Sequence, residues 1–306
     1  MPAATSATTP WFHGFEAADV DVGGVRLHLR SGGRAGAPPL LLVHGFPQSH
    51  VLWQRVAQQL APHFRLVLPD LRGYGRSDKP AGSADHANYS KRTMAADLVA
   101  LMRQLGHTRF GLVGHDRGGR VAHRLALDHA DAVHKLCVID IAPTLDMYDA
   151  TDMRFARAYY HWFHLIQPHP LPETMIGGCA PAYLRAKLGG WGAGGTGYIE
   201  PEALAEYERN FCTPEAIHAA CEDYRASAGI DLDHDRAARA AGWKIACDLL
   251  VLWGERGVVH QLFDPLALWR AQCSATVTGR ALPAGHFIPE EVPGATAAAL
   301  REFFGA

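Results

Sequence analysis

Short, fully apolar runs alternate with helical patterns in the first half of the chain, and this alternation constrains the fold more than any other feature. The apolar runs span residues 39–43, 65–68, 110–113 and 135–139. The helical patterns between them span residues 51–60, 91–105 and 117–128. Apolar runs of this length, flanked by turn residues, are typical of strands buried on both faces. Strands that alternate with helices predict a doubly wound, mostly parallel α/β sheet with helices on both faces.

The alternation is interrupted after Ile139. Residues 143–243 are helical and loop-rich, and two further apolar strands are predicted at 248–253 and 275–282. Before the first buried strand, an alternating stretch around Gly23 and Gly24 predicts a hairpin. We therefore predict a core domain made of residues 1–142 and 244–306, with a helical cap domain, 143–243, inserted into it. A cap above the carboxyl ends of parallel strands would enclose a ligand pocket.

The overall composition excludes several classes of partner. The formal net charge of −2 creates no field that would attract nucleic acid or an anionic membrane. No apolar run approaches the roughly 20 residues that span a bilayer, and residues 1–10 lack the basic start and apolar stretch of a secretory signal. The six cysteines are scattered, which is typical of reduced thiols in a cytoplasmic protein. No cluster has metal-ligand spacing, so neither a metal nor a cofactor is expected.

The segment Gly114-His-Asp116-Arg-Gly118 lies between a predicted strand and a predicted helix. It has the form of a nucleophile elbow, with aspartate at the position that serine usually occupies. Glycines suit such a turn because it is strained and closely packed. The helix N-terminus favours an anion at Asp116. The backbone N–H groups of Arg117 and Phe46 are candidates for an oxyanion hole.

An aspartate nucleophile indicates a particular chemistry. Displacement at a saturated carbon by serine would leave an inert ether. A carboxylate instead forms an ester whose carbonyl belongs to the enzyme, so water can attack it and regenerate the aspartate. Asp116 therefore favours the opening of a carbon–halogen bond or an epoxide over ester hydrolysis.

With these motifs, the chain resembles the α/β-hydrolase fold family throughout its length. The motifs are His44-Gly-Phe-Pro47, Gly73-x-Gly-x-Ser-Asp78, the elbow at Asp116, and Gly285-His286. The resemblance implies that His286, after the last predicted strand, is the catalytic base.

Two positions compete for the carboxylate that orients His286. The usual family position after the penultimate strand is occupied by Gly257, and Glu255 lies two residues earlier. The other family position follows the strand after the nucleophile, where Asp140 stands. A carboxylate at the end of a buried strand needs a partner, which the Nδ1–H of His286 would supply. We therefore predict Asp140, and Glu255 is the weaker alternative.

Arg117 and Arg120 lie three residues apart, on one face of the predicted helix. A guanidinium beside a nucleophilic carboxylate is useful if it binds a substrate carboxylate, although Arg120 could instead form an ion pair elsewhere. In the predicted cap, His161, Trp162 and Tyr224 each carry a donor that could stabilise a departing halide. Taken singly, such aromatic residues usually belong to a core.

Taken with both arginines, these residues give the chain a resemblance to the fluoroacetate (haloacetate) dehalogenases, nearly end to end. The matching segments are 44–48, 114–118, 160–162, 222–225 and 285–287. The resemblance implies that Arg117 and Arg120 bind the substrate carboxylate, and that His161, Trp162 and Tyr224 bind the halide. It also implies that Phe46 and Trp191 form pocket walls, and that the protein is a homodimer.

The predicted activity is hydrolysis of a small 2-haloacid to the 2-hydroxy acid and halide, through an Asp116 ester. The first alternative is an epoxide hydrolase, in which Tyr148 or Tyr160 would join Tyr224 to protonate the epoxide oxygen. Arg117 argues against it, because related epoxide hydrolases tend to have tryptophan there. The second alternative, a binding protein that has lost catalysis, is disfavoured because the nucleophile, base and acid are all present.

Overall fold

The computed structural model of the chain describes residues 11–305, so the prediction about a secretory signal at residues 1–10 lies outside the described residues. Eight strands form one sheet in the order β1-β2-β4-β3-β5-β6-β7-β8. Their bounds are β1 (Phe15–Asp21), β2 (Arg26–Gly33), β3 (Pro39–Val43), β4 (Arg65–Pro69), β5 (Phe110–His115), β6 (Val133–Ile139), β7 (Leu249–Gly254) and β8 (Val277–Leu282). Strand β2 pairs antiparallel with β1 and β4, and all other pairs are parallel.

The helices fall into three groups along the chain. The first group consists of α1 (Gln54–Leu60), α2 (Lys91–Gln104) and α3 (Arg117–Asp128). Eight helices follow β6: α4 (Thr144–Asp149), α5 (Met153–Ala158), α6 (Tyr160–Leu165), α7 (Leu171–Gly177), α8 (Ala180–Leu188), α9 (Pro201–Phe211), α10 (Pro214–Ala228) and α11 (Ile230–Ala240). The last group consists of α12 (Val258–Leu262), α13 (Pro265–Ala271), α14 (Ile288–Glu291) and α15 (Pro293–Phe304). Short 3₁₀ helices lie at His50–Trp53, Ala87–Tyr89 and Ala130–Ala132.

The predicted doubly wound sheet is confirmed, and most predicted strands agree with the structure within two residues. Every residue of β5 is buried, as expected for a central parallel strand. Strand β8 at the edge instead alternates between more and less exposed positions, because only one face of it is well covered. The hairpin is longer than its alternating stretch indicated, since β1 and β2 pair from Phe15–Gly32 to Asp21–Arg26.

Two buried apolar clusters cover the two faces of the sheet. One includes Trp53, on the 3₁₀ helix before α1, and Leu300 of α15. The other includes Val121 of α3 and continues without a break into Trp162 and Tyr224 of the helical insertion. The insertion therefore shares a continuous apolar cluster with the α3 side of the core. Our assignment of residues 143–243 as a separate cap domain stays a prediction.

The sheet topology determines where a site can form. Strand β3 lies between β4 and β5. After β3 the chain moves to β4 on one side, and after β4 it crosses to β5 on the other side of β3. In an open parallel sheet, ligands bind at the carboxyl ends of strands at such a switch point. The segments that follow β3, β5, β6 and β8 carry Phe46, Asp116, Asp140 and His286. These four residues are consequently brought to one edge of the sheet.

Two findings bear on the predicted environment of the protein. Within residues 11–305, we find no helix that is long and apolar enough to cross a membrane. All six cysteines are free thiols, and Cys137, Cys221 and Cys273 are buried.

Candidate active site

The elbow between β5 and α3 has the strained geometry that its glycines predicted. Asp116 has φ 48° and ψ −116°, a backbone conformation that residues other than glycine rarely adopt. A Cβ atom on Gly114 would lie 2.5 Å from the Gly118 carbonyl oxygen, and one on Gly118 would lie 2.2 Å from the His44 carbonyl oxygen. Neither position accepts a side chain, so both glycines are required for the turn.

The Asp116 carboxylate is held between two groups of the core. Its Oδ1 accepts a 2.9 Å hydrogen bond from the Phe46 N–H, and its Oδ2 lies 3.8 Å from Nε2 of His286. Burial raises the pKa of Asp116, but the charges of His286, Arg120 and Arg117 outweigh that effect. The net pKa lies below its ordinary value, so the carboxylate is ionised at neutral pH and able to act as a nucleophile.

His286 is oriented by Asp140. Its Nδ1 lies 2.6 Å from Oδ2 of Asp140, whose Oδ1 accepts a 2.9 Å hydrogen bond from the Gly254 N–H. The proton is therefore assigned to Nδ1, which leaves Nε2 as the basic atom, and Nε2 is buried without a partner among the described residues. Burial lowers the pKa of His286, but the hydrogen bond and charge of Asp140 raise it above its ordinary value.

The structure explains geometrically why Asp140, and not Glu255, is bonded to His286. Glu255 is exposed to solvent, whereas Asp140 is buried against His286. A Cβ atom on Gly257 would lie only 3.3 Å from Oδ1 of Asp140. The two positions at which the family places this carboxylate therefore converge on the same point in space, and this chain occupies it from Asp140.

Arg117 does not pair with the nucleophile. Its Nε and Nη2 donate to the two oxygens of Asp223, at 2.9 and 2.8 Å, and its Nη1 lies 3.3 Å from the Ser227 hydroxyl. The guanidinium also lies 4.1 Å from the centre of the Tyr224 ring. A buried carboxylate thus neutralises Arg117 and keeps it from Asp116.

Arg120 has weaker partners than Arg117. Its Nη1 donates to the Thr144 hydroxyl at 2.9 Å, its Nη2 lies 3.3 Å from the Met147 sulfur, and its Nε is buried without a partner. The guanidinium lies 4.6 Å from the centre of a ring of Trp162. Among residues 11–305 it forms no ion pair within 4.0 Å, so the alternative that Arg120 pairs elsewhere is not supported.

The predicted halide-binding residues come together above the nucleophile loop. The His161 ring lies 6.0 Å from Phe46, 5.6 Å from Tyr224 and 4.6 Å from Trp191, between ring centres. Trp162 lies 6.5 Å from Tyr224. Nδ1 of His161 and the Tyr224 hydroxyl are buried with no hydrogen-bond partner among the described residues. Burial holds the pKa of His161 well below its ordinary value, so the ring is neutral and retains one N–H donor.

Trp191 connects these aromatic residues to the base. Its ring centre lies 5.2 Å from that of His286, and its carbonyl oxygen accepts the His286 backbone N–H at 3.1 Å. Trp191 has a positive φ of 54°, which directs the chain of the glycine-rich loop toward the core. Its position at the pocket wall stays a prediction.

Sequence reasoning missed three residues near the site. Asp223 binds Arg117, Lys91 forms a salt bridge with Asp223, and the Tyr159 ring lies 5.4 Å from His161. Asp223 lies in the matching segment 222–225, in which the sequence predicts a role only for Tyr224. An acidic residue in an otherwise apolar helix face was the available signal for it, whereas nothing in the spacing of Lys91 connects it to position 223.

Comparison with known proteins agrees with this geometry. The family model described as alpha/beta hydrolase fold matches residues 38–179. The chain is 48% identical to the fluoroacetate dehalogenase of Burkholderia sp, over 95% of this chain and 94% of that one. It is 33% identical to the soluble epoxide hydrolase of Corynebacterium sp. (strain C12), over 89% and 91% of the two chains. It superposes with a TM-score of 0.92 on the solved structure of an alpha/beta hydrolase from Nostoc sp PCC 7120, at 52% identity, covering 96% and 99% of the two chains.

The chain therefore belongs to the alpha/beta hydrolase fold family. Within that family, the predicted resemblance to the fluoroacetate dehalogenases is confirmed.

Proposed function

We propose that this protein is a hydrolytic dehalogenase that converts a small 2-haloacid, such as fluoroacetate or another haloacetate, to the 2-hydroxy acid and halide. One arrangement carries the proposal. The ionised Asp116 accepts a hydrogen bond from the Phe46 N–H and lies close to the oriented His286. Arg120 is buried beside them and has no carboxylate partner among the described residues. No step of the reaction requires a cofactor or a metal.

In the first step, Oδ2 of Asp116 attacks the α-carbon of the substrate. A carbon–oxygen bond forms as the carbon–halogen bond breaks, and the halide leaves with the bonding electron pair. His161, Trp162 and Tyr224 donate hydrogen bonds to the departing halide. Fluoride depends most on these donors, because its charge is compact and it is a poor leaving group.

In the second step, Nε2 of His286 removes a proton from water, and the hydroxide attacks Cγ of the Asp116 ester. The negative charge that develops on Oδ1 is stabilised by the backbone N–H groups of Phe46 and Arg117. The existing 2.9 Å contact between Phe46 N–H and Oδ1 supports this role, because the donor is in place before the charge develops. Collapse breaks the bond between Cγ and the product oxygen, and the imidazolium gives its proton to that oxygen. Asp116 is left as a carboxylic acid, which releases its proton to water because its pKa is low, and the nucleophilic carboxylate is restored.

The two arginines contribute differently to substrate binding. The charge of Arg117 is compensated by Asp223, whereas Arg120 is buried with neutral partners and an unsatisfied Nε. A buried charge without a counterion is costly. We therefore assign Arg120 the main electrostatic contact with the substrate carboxylate, and Arg117 a secondary, orienting one.

An epoxide hydrolase is the second candidate, and the 33% identity to the soluble epoxide hydrolase of Corynebacterium supports it. That chemistry uses the same Asp116, His286 and Asp140. It also needs a second acid beside Tyr224. Tyr160 is 47% exposed and lies under the Lys187 ammonium, so Tyr148, whose ring lies 4.8 Å from that of Trp162, is the remaining candidate. Arg120 has no ion-pair partner within 4.0 Å among residues 11–305, and an uncharged epoxide would not provide one, so the haloacid is the better substrate.

The two functions are separated by one set of assays. We expect fluoride release from fluoroacetate and chloride release from chloroacetate, measured with ion-selective electrodes, and little turnover of styrene oxide. In the His286→Asn variant we expect about one halide per chain and then no further release, because the ester forms but is not hydrolysed. Hydrolysis of styrene oxide without halide release from either haloacetate would favour the epoxide hydrolase.

The homodimer and the cytoplasmic location also remain proposals. The first is implied by the resemblance to haloacetate dehalogenases, and the second is supported by the six free cysteines. Light scattering coupled to size-exclusion chromatography would measure the mass in solution and test the dimer directly.

A further inference from the structure

A cluster of three potential metal ligands lies in the helical insertion, outside the site described above. It consists of His169, before the start of α7, Glu173 in the first turn of α7, and His218 on α10. One ligand atom from each residue lies within 4.8 Å of the other two. Nδ1 of His218 is 3.1 Å from Oε1 of Glu173, and the two histidine rings are 5.6 Å apart between centres.

The three side chains also share a surface cavity of about 470 Å³. His169 is exposed, and Glu173 and His218 are half-buried, so a hydrated cation has access to all three. Sequence spacing shows no metal-ligand cluster here because His218 lies 45 residues after Glu173, on a different helix. The expectation of no metal cluster therefore has to be revised for this surface.

We propose that His169, Glu173 and His218 form a binding site for a first-row transition-metal cation, with Zn²⁺ as its best-suited occupant. Imidazole nitrogen and carboxylate oxygen are preferred ligands of Zn²⁺, at about 2.0–2.2 Å from the metal. A tetrahedral ion at that distance holds its ligand atoms a little over 3 Å apart. The pair His218–Glu173 already has this separation, and the exposed His169 needs only a side-chain movement to complete the set.

The charges around the cluster favour a dication. Arg225 donates from Nη1 to Oε1 of Glu173 and to Oε1 of Glu222, at 2.7 Å each. Two carboxylates and one guanidinium leave one net negative charge when the neighbouring histidines are neutral. Nη2 of Arg225 also donates to Oε2 of Glu173 at 3.1 Å, so the guanidinium competes with a cation for both carboxylate oxygens. It also fixes the orientation of that carboxylate, as outer partners of metal ligands do. We expect binding weaker than at a four-ligand structural zinc site, with the remaining position filled by water.

The site is close to the proposed active site in sequence but faces another way. Helix α10 carries His218 and, six residues later, Tyr224. At 100° per residue, His218 shares a face with Glu222 and Arg225 but not with Tyr224. A bound ion would join the segment before α7 to α10, so it would stabilise the insertion without contacting the proposed halide donors.

The experiment is a titration of Zn²⁺ into the full chain, prepared without a histidine tag, by isothermal calorimetry near pH 7.5. We expect one ion per chain, and an affinity that falls by about tenfold or more in His169→Gln and in His218→Gln. The matched control is His134→Gln, which removes an exposed histidine from β6 and leaves the affinity unchanged. The absorption spectrum of bound Co²⁺ reports the ligand set independently, and it should lose intensity in the same two variants.

Activity and thermal unfolding of each variant without metal show that the fold is intact, because none of these three histidines belongs to the proposed catalytic machinery. Zn²⁺ should raise the melting temperature of the parent chain and of His134→Gln only. The proposal is overturned if no saturable binding occurs up to millimolar Zn²⁺. It is equally overturned if both histidine variants bind normally, or if binding disappears instead with Cys179→Ser, since Cys179 is the exposed thiol.

Discussion

The two halves of the proposed active site differ in how far their polar groups are satisfied. In the sheet-derived half, Asp116 accepts a hydrogen bond from Phe46, His286 is bonded to Asp140, and Asp140 also accepts from Gly254. These groups are positioned by the core before any substrate arrives. Preorganised groups of this kind cost no reorganisation at the moment of reaction.

In the half contributed by the helical insertion, Nδ1 of His161 and the Tyr224 hydroxyl are buried with no hydrogen-bond partner among residues 11–305. An unsatisfied buried donor costs about 1–3 kcal/mol. A ligand rather than the protein is therefore expected to satisfy the Tyr224 hydroxyl and the one N–H of the neutral His161 ring. Under the proposed mechanism, the sheet-derived half would determine the chemistry, and the insertion would determine which leaving group is accepted.

The largest expected effect comes from removing the nucleophile. In Asp116→Asn, halide release should fall by about 10⁴-fold or more, because an amide does not displace halide. The asparagine carbonyl can still accept from the Phe46 N–H, so the fold should be retained. The exposed Asp131→Asn serves as the control. Full turnover by Asp116→Asn, with the amide shown intact by peptide mass, would disprove the assignment.

Isotope labelling tests the same step without a mutation. In a single turnover in heavy-oxygen water, the label should enter the Asp116 carboxylate and not the hydroxy acid. Label found directly in the product would show that water, and not Asp116, attacks the substrate carbon.

The next largest effect should follow loss of the orienting carboxylate. Asp140→Asn should reduce turnover by about 10³-fold, because the His286 tautomer is no longer fixed. Asp140 raises the pKa of His286 above the ordinary 6.5, and only the unprotonated ring is a base. Activity of the parent chain therefore rises with pH through a value above 6.5, and this acid limb should move to lower pH in the variant.

Glu255→Gln provides the matched control for that prediction, because Glu255 is the alternative carboxylate and is exposed. Its pH–rate profile should coincide with that of the parent chain. A shifted profile in Glu255→Gln, with an unshifted one in Asp140→Asn, would reverse the assignment.

Asp223→Asn should affect stability as much as binding. The change leaves Arg117 and Lys91 buried without their shared counterion, which costs about 3–5 kcal/mol of unfolding free energy. Urea denaturation measures this loss, with Asp233→Asn as an exposed control on α11. The KM for chloroacetate should also rise, because Arg117 is no longer oriented. Stability equal to that of the control would show that Asp223 is not the required counterion.

The smallest but most selective effect concerns the insertion. Tyr224→Phe removes one donor and keeps the ring, which packs at 5.4 Å from Phe46. We expect kcat for fluoroacetate to fall by about 10-fold or more, and kcat for bromoacetate to fall less, because fluoride depends more on hydrogen bonding. Equal losses for both substrates would mean that Tyr224 does not discriminate between leaving groups.

Local sequence patterns predicted much of this structure. The strand at Pro39–Val43 and the helix at Arg117–Asp128 match the predicted bounds, because short apolar runs and helical periodicity are properties of the chain itself. The elbow could be recognised because its glycines lie within two residues of Asp116. Asp140 could be proposed because a charge at the end of a buried strand has few acceptable positions.

Long-range pairings could not be predicted in the same way. Arg117 and Asp223 are 106 residues apart, and Lys91 and Asp223 are 132 apart. The sequence predicts that Arg117 binds the substrate carboxylate, and it does not indicate that Asp223 pairs with Arg117. No local pattern specifies which of 31 acidic residues reaches a given arginine.

By itself, the sequence determined the sheet, the strained turn, and the type of chemistry that an aspartate nucleophile permits, since these depend on neighbouring residues. Only the tertiary structure decided that Asp223 pairs with Arg117, while Arg120 has no ion-pair partner within 4.0 Å among the described residues. It also decided that His169, Glu173 and His218 meet on one surface. The physical reason is that electrostatic and ligand contacts depend on distances in space, which arise only when the helices of the insertion pack against one another and onto the sheet.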